Sequence, residues 1–493
     1  MTRRDAWLAA CAVASASGYL WLAVWRGAVG FPLDDAWIHQ VYARNLGLRG
    51  EFAFFAGVPS AGSTSPLWSL LLALGYFLRL DFHAWTYLLG IIFLVASASV
   101  GARLLRFLIV RLTPHLTRFG ALPVLGALFV IGEWHLAWSA VSGMEIPLFI
   151  FLTLILLERF YAGARPWVVG GIAGLLALTR PEGIALAALV GGGVAARALG
   201  GRGTWVAAAR ALVWFGLGCG IVLAPDLWFN WTATGTLLPN TFYAKAAEYA
   251  ILFARAPWLA RYAELLFTPF VGAQILLVPG VIALGIVLAR KREWLALIPL
   301  VWVLLLPALY AWRLPVTYQH GRYEMPVIPF IALYGLWGTA ELFTRIRSWV
   351  VRQTWAIALG VTLIAFWVIG AAQYVTDVAV VECEMVGTAK WIAANAPPPA
   401  MIAAHDIGAL GYFYPRPFLD LAGLVSPQVI PFIRDEDRLR DFLFARGATH
   451  VVVFPQWYPA FDADPRFTPA FQTTCAVTRA AGEQNMIVYR IVR

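Results

Sequence analysis

Asp34 and Asp35 stand side by side in Phe31-Pro-Leu-Asp-Asp-Ala-Trp-Ile-His39, just after the first long apolar segment of a chain that otherwise avoids charge. Two carboxylates opening a short helix at a membrane surface are what a reaction on a lipid-linked substrate needs, because a carboxylate held ionised is a competent general base toward a sugar hydroxyl. The competing reading is capping, since Asp is a preferred N-cap and is stabilised by the positive end of a helix. Downstream, Trp37, Ile38, Val41 and Tyr42 recur with helical spacing on one face, and His39, Gln40 and Arg44 lie on another. That pattern predicts an interfacial amphipathic helix.

Four further segments carry groups of the same kind. Glu145, in Ser142-Gly-Met-Glu-Ile-Pro147, opens an apolar span, and Arg180 and Glu182 sit at the apex of Thr179-Arg-Pro-Glu-Gly183. Capping could explain Glu145, and mutual pairing could explain Arg180 and Glu182. Yet an ionisable group inside a membrane costs about 2.5–3.5 kcal/mol on insertion scales, so retention for a site is the default reading. Lys245, one of three lysines in the chain, follows Asn240 and Tyr243 in Pro239-Asn-Thr-Phe-Tyr-Ala-Lys245. It could bind a phosphate, or contact solvent and lipid headgroups. In His320-Gly-Arg-Tyr-Glu324, Arg322 offers bidentate phosphate contacts and His320 a further donor, unless Glu324 merely neutralises the arginine. The donor-phosphate candidates are thus Lys245, Arg322, His320 and Arg180. Candidate substrate contacts are His39, Glu145, Glu182, Asn240, Tyr243 and Tyr323. Nearer the C-terminus, Asp406 in His405-Asp-Ile-Gly-Ala-Leu-Gly411 and Asp420 in Asp420-Leu-Ala-Gly-Leu424 either order turns or face the membrane site from above.

The elements that must position these groups follow from composition. The chain has 493 residues, 61% hydrophobic and 13% charged with 23 Trp, the composition of a polytopic α-helical membrane protein. Its net charge of +10 sits in short loops, at Arg103, Arg106, Arg111 and Arg118, at Arg290–Arg292, and at Arg345, Arg347 and Arg352. This is the positive-inside signature of cytoplasmic loops, and it argues against nucleic acid as a partner. Met1-Thr-Arg-Arg4 resembles the start of a signal peptide, but the apolar run continues through Trp25, so a retained first span is expected.

With about 20 apolar residues per crossing, spans are expected at 6–29, 82–105, 119–140, 144–160, 209–231, 269–289, 294–312, 326–344 and 354–374. Pro181 and Gly183 should split 167–196 into two short helices. The count is eleven crossings with the N-terminus inside and the C-terminus outside, and 65–80 is read as a re-entrant or interfacial helix. Every loop carrying a candidate residue then faces outside. Residues 1–377 form the membrane module. Residues 378–493, over which composition turns polar, form a small extracytoplasmic α/β domain entered through Pro397-Pro-Pro399. Strands are expected at 400–405 and 449–454, a helix at 435–446, and a closing hairpin of 474–478 with 486–491. Outside the cell, a Cys383–Cys475 disulfide is permitted. The absence of a G-x-G-x-x-G, a P-loop or an H-E-x-x-H removes support for nucleotide-sugar, NTP-hydrolysing or zincin chemistry.

On these residues the chain resembles the polyprenyl-phosphate-sugar-dependent membrane glycosyltransferases of the GT-C fold, with about 11–13 helices. The resemblance rests on the Asp34-Asp35 segment, Gly62-Ser-Thr-Ser-Pro-Leu-Trp68, Gly143-Met-Glu145, Thr179-Arg-Pro-Glu-Gly183, Pro239-Asn-Thr-Phe-Tyr-Ala-Lys245 and His320-Gly-Arg-Tyr323, in that order. The pattern looks closest to actinobacterial terminal arabinofuranosyltransferases. It implies an inverting transfer from a polyprenyl-phosphate sugar to an extracytoplasmic glycan, lipid or protein, at the outer face of the plasma (inner) membrane. Asp34 or Asp35 would be the base, and Lys245, Arg322 and Arg180 would lie near the phosphate. It also implies a possible divalent cation (Mg, Mn or Ca) at Asp34, Asp35 and Glu145. A transporter or flippase for lipid-linked saccharides is the alternative, against which stands the gathering of charge at one membrane face.

Overall fold

A computed structural model describes residues 3–200 and 203–492, so Met1 and Thr2 of the basic start lie outside the described residues. Among the described residues, seven helices are long and apolar enough to cross a membrane, or eight if the bent pair α5 and α6 below counts as one span. The chain is a multi-pass membrane protein.

Helix α1 (Arg3–Trp25) stops before Gly27, which takes a left-handed φ of 76°. Helix α2 (Asp34–Arg49) follows, then a short hairpin of β1 (Ala53–Phe55) and β2 (Val58–Pro59). Helix α3 (Pro66–Phe77) starts with Pro at its first position, where the missing N–H costs nothing. Its 12 residues reach about 18 Å, too short to cross, as the re-entrant reading expects. Helix α4 (Phe82–Leu112) is a full span. The expected span at 119–140 is broken into α5 (Leu122–Gly132) and α6 (Trp134–Ala140), bent by 61°. The break sits at Glu133, whose carboxylate accepts the Leu136 amide at 3.0 Å and caps α6.

Helices α7 (Ile146–Tyr161), α8 (Pro166–Thr179) and α9 (Gly183–Leu199) have 16, 14 and 17 residues. At roughly 21–26 Å they fall short of a hydrocarbon core of about 30 Å, so the count of eleven crossings rests on three undersized helices. As expected, α8 and α9 are split at Arg180-Pro181-Glu182. Helix α10 (Trp205–Thr234) is a long lipid-facing span. After it come α11 (Asn240–Glu248), α12 (Leu252–Arg255) and α13 (Trp258–Phe267), where a plain loop was expected. Helices α14 (Val278–Arg290), α15 (Ile298–Arg313) and α17 (Ile328–Phe343) complete the bundle, with the short left-handed turn α16 (Tyr318–Gly321) between the last two.

Helix α18 (Trp349–Val381) does not stop at the membrane. It continues through one π-helical turn, Glu382–Val386, into α19 (Gly387–Asn395), a 47-residue helical column. The tail hangs on it. Its sheet holds β3 (Ile402–Ala404), β4 (Leu419–Asp420), β5 (His450–Val453), β6 (Phe467–Gln472) and β7 (Ile487–Ile491), in the order β4-β3-β5-β7-β6. Strands β4, β3 and β5 run parallel, and β7 is antiparallel to both β5 and β6.

The period-2 alternation divides this sheet between two cores. Ile402, Ala404, Val452 and Val488 join the core of the membrane helices. Ala403, Val451, Val453 and Tyr489 form a second core under the helix Glu436–Ala445. The expected strand at 474–478 is instead helical over Ala476–Ala480, and β7 pairs with β6. Pro469 hid β6 from sequence reading, but β6 is an edge strand, where a missing N–H is tolerated. A Cys383–Cys475 disulfide ties the π turn to the end of the sheet.

The two ends of the bundle differ in charge. At one end Lys291 Nζ donates to the Leu112 carbonyl at 2.7 Å, His115 lies 2.8 Å from Glu341, and Arg345 is 3.7 Å from the same carboxylate. The arginine-rich loops therefore converge there. The tail and the candidate residues occupy the other end, beyond the Phe82 end of α4, whose 31 residues rise about 46 Å.

Candidate active site

A cavity of about 420 Å³ opens where α2, α9, α11, α15 and the segment after α16 meet. Its head is polar, formed by Asp35, Lys245, Arg322, Tyr323, Arg180, Glu145 and Glu182. Its continuation is greasy, lined by Ile184, Ala188, Leu238, Phe242, Leu309 and Trp312. Ile184 and Trp312 are exposed on the bundle's outer surface, so the groove leads toward lipid.

The two aspartates part company. Asp35 lines the cavity, with its Oδ2 3.2 Å from Lys245 Nζ and hydrogen-bonded by Arg322 Nη2. Burial alone would raise its pKa, but Lys245 and Arg322 outweigh that and hold the carboxyl far below the usual carboxylate range. Asp34 does not line the cavity. It caps no helix of its own; the N-cap of α2 is Leu33. Instead both its oxygens accept backbone amides from the tail, Gly408 N–H at 2.7 Å and Ala409 N–H at 2.8 Å. Burial, with Asp406 close by, pushes its pKa up to about 7 against the pull of those amides. The helix they open is buried on both faces rather than interfacial. Trp37, Ile38, His39, Gln40 and Val41 are all enclosed, because α3 packs on one side and the tail's helix Gly408–Phe413 on the other.

Arg322 and Tyr323 owe their places to a strained turn. Gln319, His320 and Gly321 all have φ between 55° and 63°, a left-handed run that two non-glycine residues rarely adopt. The turn sends His320 away from the cavity. Its Nε2 lies 2.7 Å from Asp377 of α18 and its ring is edge-on to Trp134 and Trp138, so the expected phosphate contact from His320 is not formed. Arg322 instead enters the head. Its Nη2 donates to Tyr323 Oη at 3.0 Å and to Asp35, while its buried Nε and Nη1 have no partner. Glu324 does not neutralise it, for both Glu324 oxygens are buried and unpartnered.

The other candidates form a second ring. Arg180 Nε lies 2.5 Å from Glu182 Oε1, its Nη2 donates to Tyr310 Oη at 3.1 Å, and its Nη1 is 3.8 Å from Glu145. The pairing reading thus holds for Arg180 and Glu182, and both still line the cavity. His39 stands behind Glu145 at 3.3 Å and does not reach the cavity. Asn240 is buried at the start of α11, its N–H bonded to the Ala61 carbonyl at 2.8 Å, and Tyr243 faces outward. Neither lines the cavity; Thr241 and Phe242 do. Tyr310, in the last turn of an apolar helix, gave no sequence signal.

A divalent cation at Asp34, Asp35 and Glu145 does not fit. The three carboxyls turn to different partners, namely backbone amides, the Lys245–Arg322 pair, and His39 with Arg180. Among the described residues no three His, Cys, Asp or Glu side chains gather in a ligand set.

What the Asp35 corner of the head can do chemically is plain: one ionised carboxylate stands beside two cations, one with donors to spare, at the mouth of an apolar groove. Solved structures share the architecture. The structure of ArnT from Cupriavidus metallidurans bound to undecaprenyl phosphate matches with a TM-score of 0.57 at 14% identity, over 98% of each chain. The chain has the GT-C fold. A second GT-C match is the apo oligosaccharyltransferase of Archaeoglobus fulgidus, with a TM-score of 0.58 at 11% identity, over 91% of this chain and 70% of that one. The mycobacterial arabinofuranosyltransferase AftD aligns with a TM-score of 0.45 at 15% identity over 42% of its own length, too weak a likeness to argue for an arabinosyl donor. Residues 371–489 match a family described as "Domain of unknown function (DUF8728)", which covers the end of α18 and nearly all of the tail. No curated protein matches the sequence.

Proposed function

We propose that this chain is an inverting glycosyltransferase that moves a sugar from a polyprenyl-phosphate donor to a hydroxyl of a glycan, lipid or protein on the outer face of the plasma membrane. The observation that carries the reading is the cavity head, where Asp35 meets Lys245 and Arg322 at the end of a lipid-facing groove. The prenyl chain lies along Ile184, Ala188 and Leu309, and its phosphate takes the unpartnered donors of Arg322. Outward orientation is supported by the arginine loops at the opposite end of the bundle.

Of the two aspartates we assign the base to Asp35. A pKa near 7 makes Asp34 look better tuned, but geometry comes first, and both its oxygens are spent on the tail. Asp35 is a poor base while two cations hold it. An arriving phosphate draws Lys245 and Arg322 toward itself, and the carboxylate they release becomes a stronger base. It then takes the proton of the acceptor hydroxyl as that oxygen bonds to the anomeric carbon. The bond from that carbon to the phosphate oxygen breaks on the far side, with inversion, and the electron pair leaves on polyprenyl phosphate, where Lys245 and Arg322 stabilise it.

The test is transfer from a panel of undecaprenyl-phosphate pentoses and hexoses by the purified chain, alongside Arg322→Ala. The expected result is transfer from at least one donor and a loss of about 10- to 100-fold or more in kcat/KM for the variant, in line with a charged hydrogen bond at the leaving phosphate. Full activity of Arg322→Ala, or movement of intact lipid-linked sugar without transfer, overturns the assignment.

A further inference from the structure

The loop 405–409, which follows β3, belongs to no part of the cavity, yet it touches both elements that carry the Asp35–Lys245 pair. On one side the Gly408 and Ala409 amides hold Asp34, the neighbour of Asp35. The grip extends along α2, because Arg44 donates to the Tyr412 and Gly411 carbonyls at 2.7 and 3.2 Å. The short helix Gly408–Phe413 thus has an acid of α2 at its amide end and a base of α2 at its carbonyl end. On the other side His405 Nε2 lies 3.3 Å from Glu248, the last residue of α11 and one turn beyond Lys245. Arg434 Nε donates to the Glu248 carbonyl at 2.8 Å and caps the same helix end. Ala244 and Ala247 turn the remaining face of α11 to the tail.

We propose that loop 405–409 is a positioning element for the catalytic pair: by holding Asp34 and Glu248 at once, it fixes how far Asp35 stands from Lys245, and so how strongly the head binds a lipid phosphate. His405, Glu248 and Asp34 are positioning residues that touch no substrate. The inference rests on reading the cavity as a lipid-phosphate site.

The contact has its own pH signature. His405 faces Glu248 from α11, Tyr458 and Asp420 from the tail, and Asp406 beside it, with Arg434 Nη2 3.7 Å from the same Glu248 oxygen. Burial lowers its pKa, but Glu248 and these acids outweigh that and push it up to about 9. Its ordinary value is about 6.5. The His405–Glu248 ion pair is therefore fully formed at pH 6.5 and is lost as pH rises through 9.

The experiment measures binding of undecaprenyl phosphate to the full chain in detergent, for wild type, Glu248→Gln, His405→Gln, the double variant and Lys245→Ala, with thermal unfolding recorded for each. Each single clamp variant should bind about 5- to 10-fold more weakly, and the double variant hardly worse than either, as for two residues acting through one contact. Wild-type affinity should fall as pH rises through 9, and His405→Gln should lack that step. Wild-type affinity flat through pH 9, or clamp variants that bind like wild type while Lys245→Ala does not, overturns this inference alone. Lys245→Ala binding like wild type overturns the lipid-phosphate reading beneath it.

Discussion

At the scale of single residues, two neighbouring aspartates have unlike work. A sequence shows Asp34 and Asp35 as a pair, but along a helix start successive side chains diverge by about 100°, so they cannot face one partner. One meets the cations of the cavity and the other meets the tail. Asp34→Asn replaces one acceptor oxygen by a donor facing a backbone N–H. It is expected to cost about 1–3 kcal/mol of stability in thermal or denaturant unfolding and to leave measurable transfer. Arg322→Lys should not restore what Arg322→Ala loses, because a point-charge ammonium cannot serve Asp35, Tyr323 and a phosphate at once. Residual kcat/KM within about threefold of wild type for the lysine variant, where a tenfold loss is about 1.4 kcal/mol, would refute that role for the planar group.

At the scale of elements, the tail's first helix is packed without slack. A Cβ on Gly408 would strike the backbone carbonyl of Asp34, which cannot move without shifting α2. Gly408→Ala is thus expected to destabilise the protein by about 1–3 kcal/mol, the usual cost of overpacking, and to lower transfer with it. Unchanged unfolding by Gly408→Ala would show that the loop and α2 are not in close contact. Much of this layer was legible in the sequence. The break at Arg180-Pro181-Glu182, the short α3 and the strands around 402–404 and 450–453 follow from Pro, Gly and hydrophobic period. Other features were not. The burial of α2 on both faces depends on a helix whose first residue lies 374 positions after Asp34, and the exile of His320 depends on three consecutive left-handed residues that no local propensity favours. Lys245 and Arg322 were legible as cations with no apparent duty in an apolar chain, but their meeting at Asp35 was not.

At the scale of the whole molecule, the account requires the cavity and the tail to face out and the arginine loops to face in. With Cys11 and Cys219 replaced by Ser, a cysteine at exposed Ala56 should react with a membrane-impermeant maleimide in intact cells. A cysteine at exposed Ser348 should react only after the membrane is opened. The reverse pattern would turn the site toward the cytosol, where the proposed acceptors are not found. The helical column from Trp349 to Asn395 then carries the five-stranded sheet against the end of the bundle where the candidate residues lie. That arrangement explains why the membrane half and the tail share one core across Ala404, Val452 and Val488.

The most direct measurement pairs two readouts on Asp35→Asn: sugar transfer, and affinity for undecaprenyl phosphate. Removing the carboxylate takes away the base and also frees Lys245 and Arg322 for the phosphate. Transfer should fall by about 10²- to 10⁴-fold, the usual worth of a general base, while the lipid phosphate binds as tightly as to wild type or more so. Retained transfer by Asp35→Asn, or a loss of lipid-phosphate binding that accounts for the loss of transfer, would contradict the assignment.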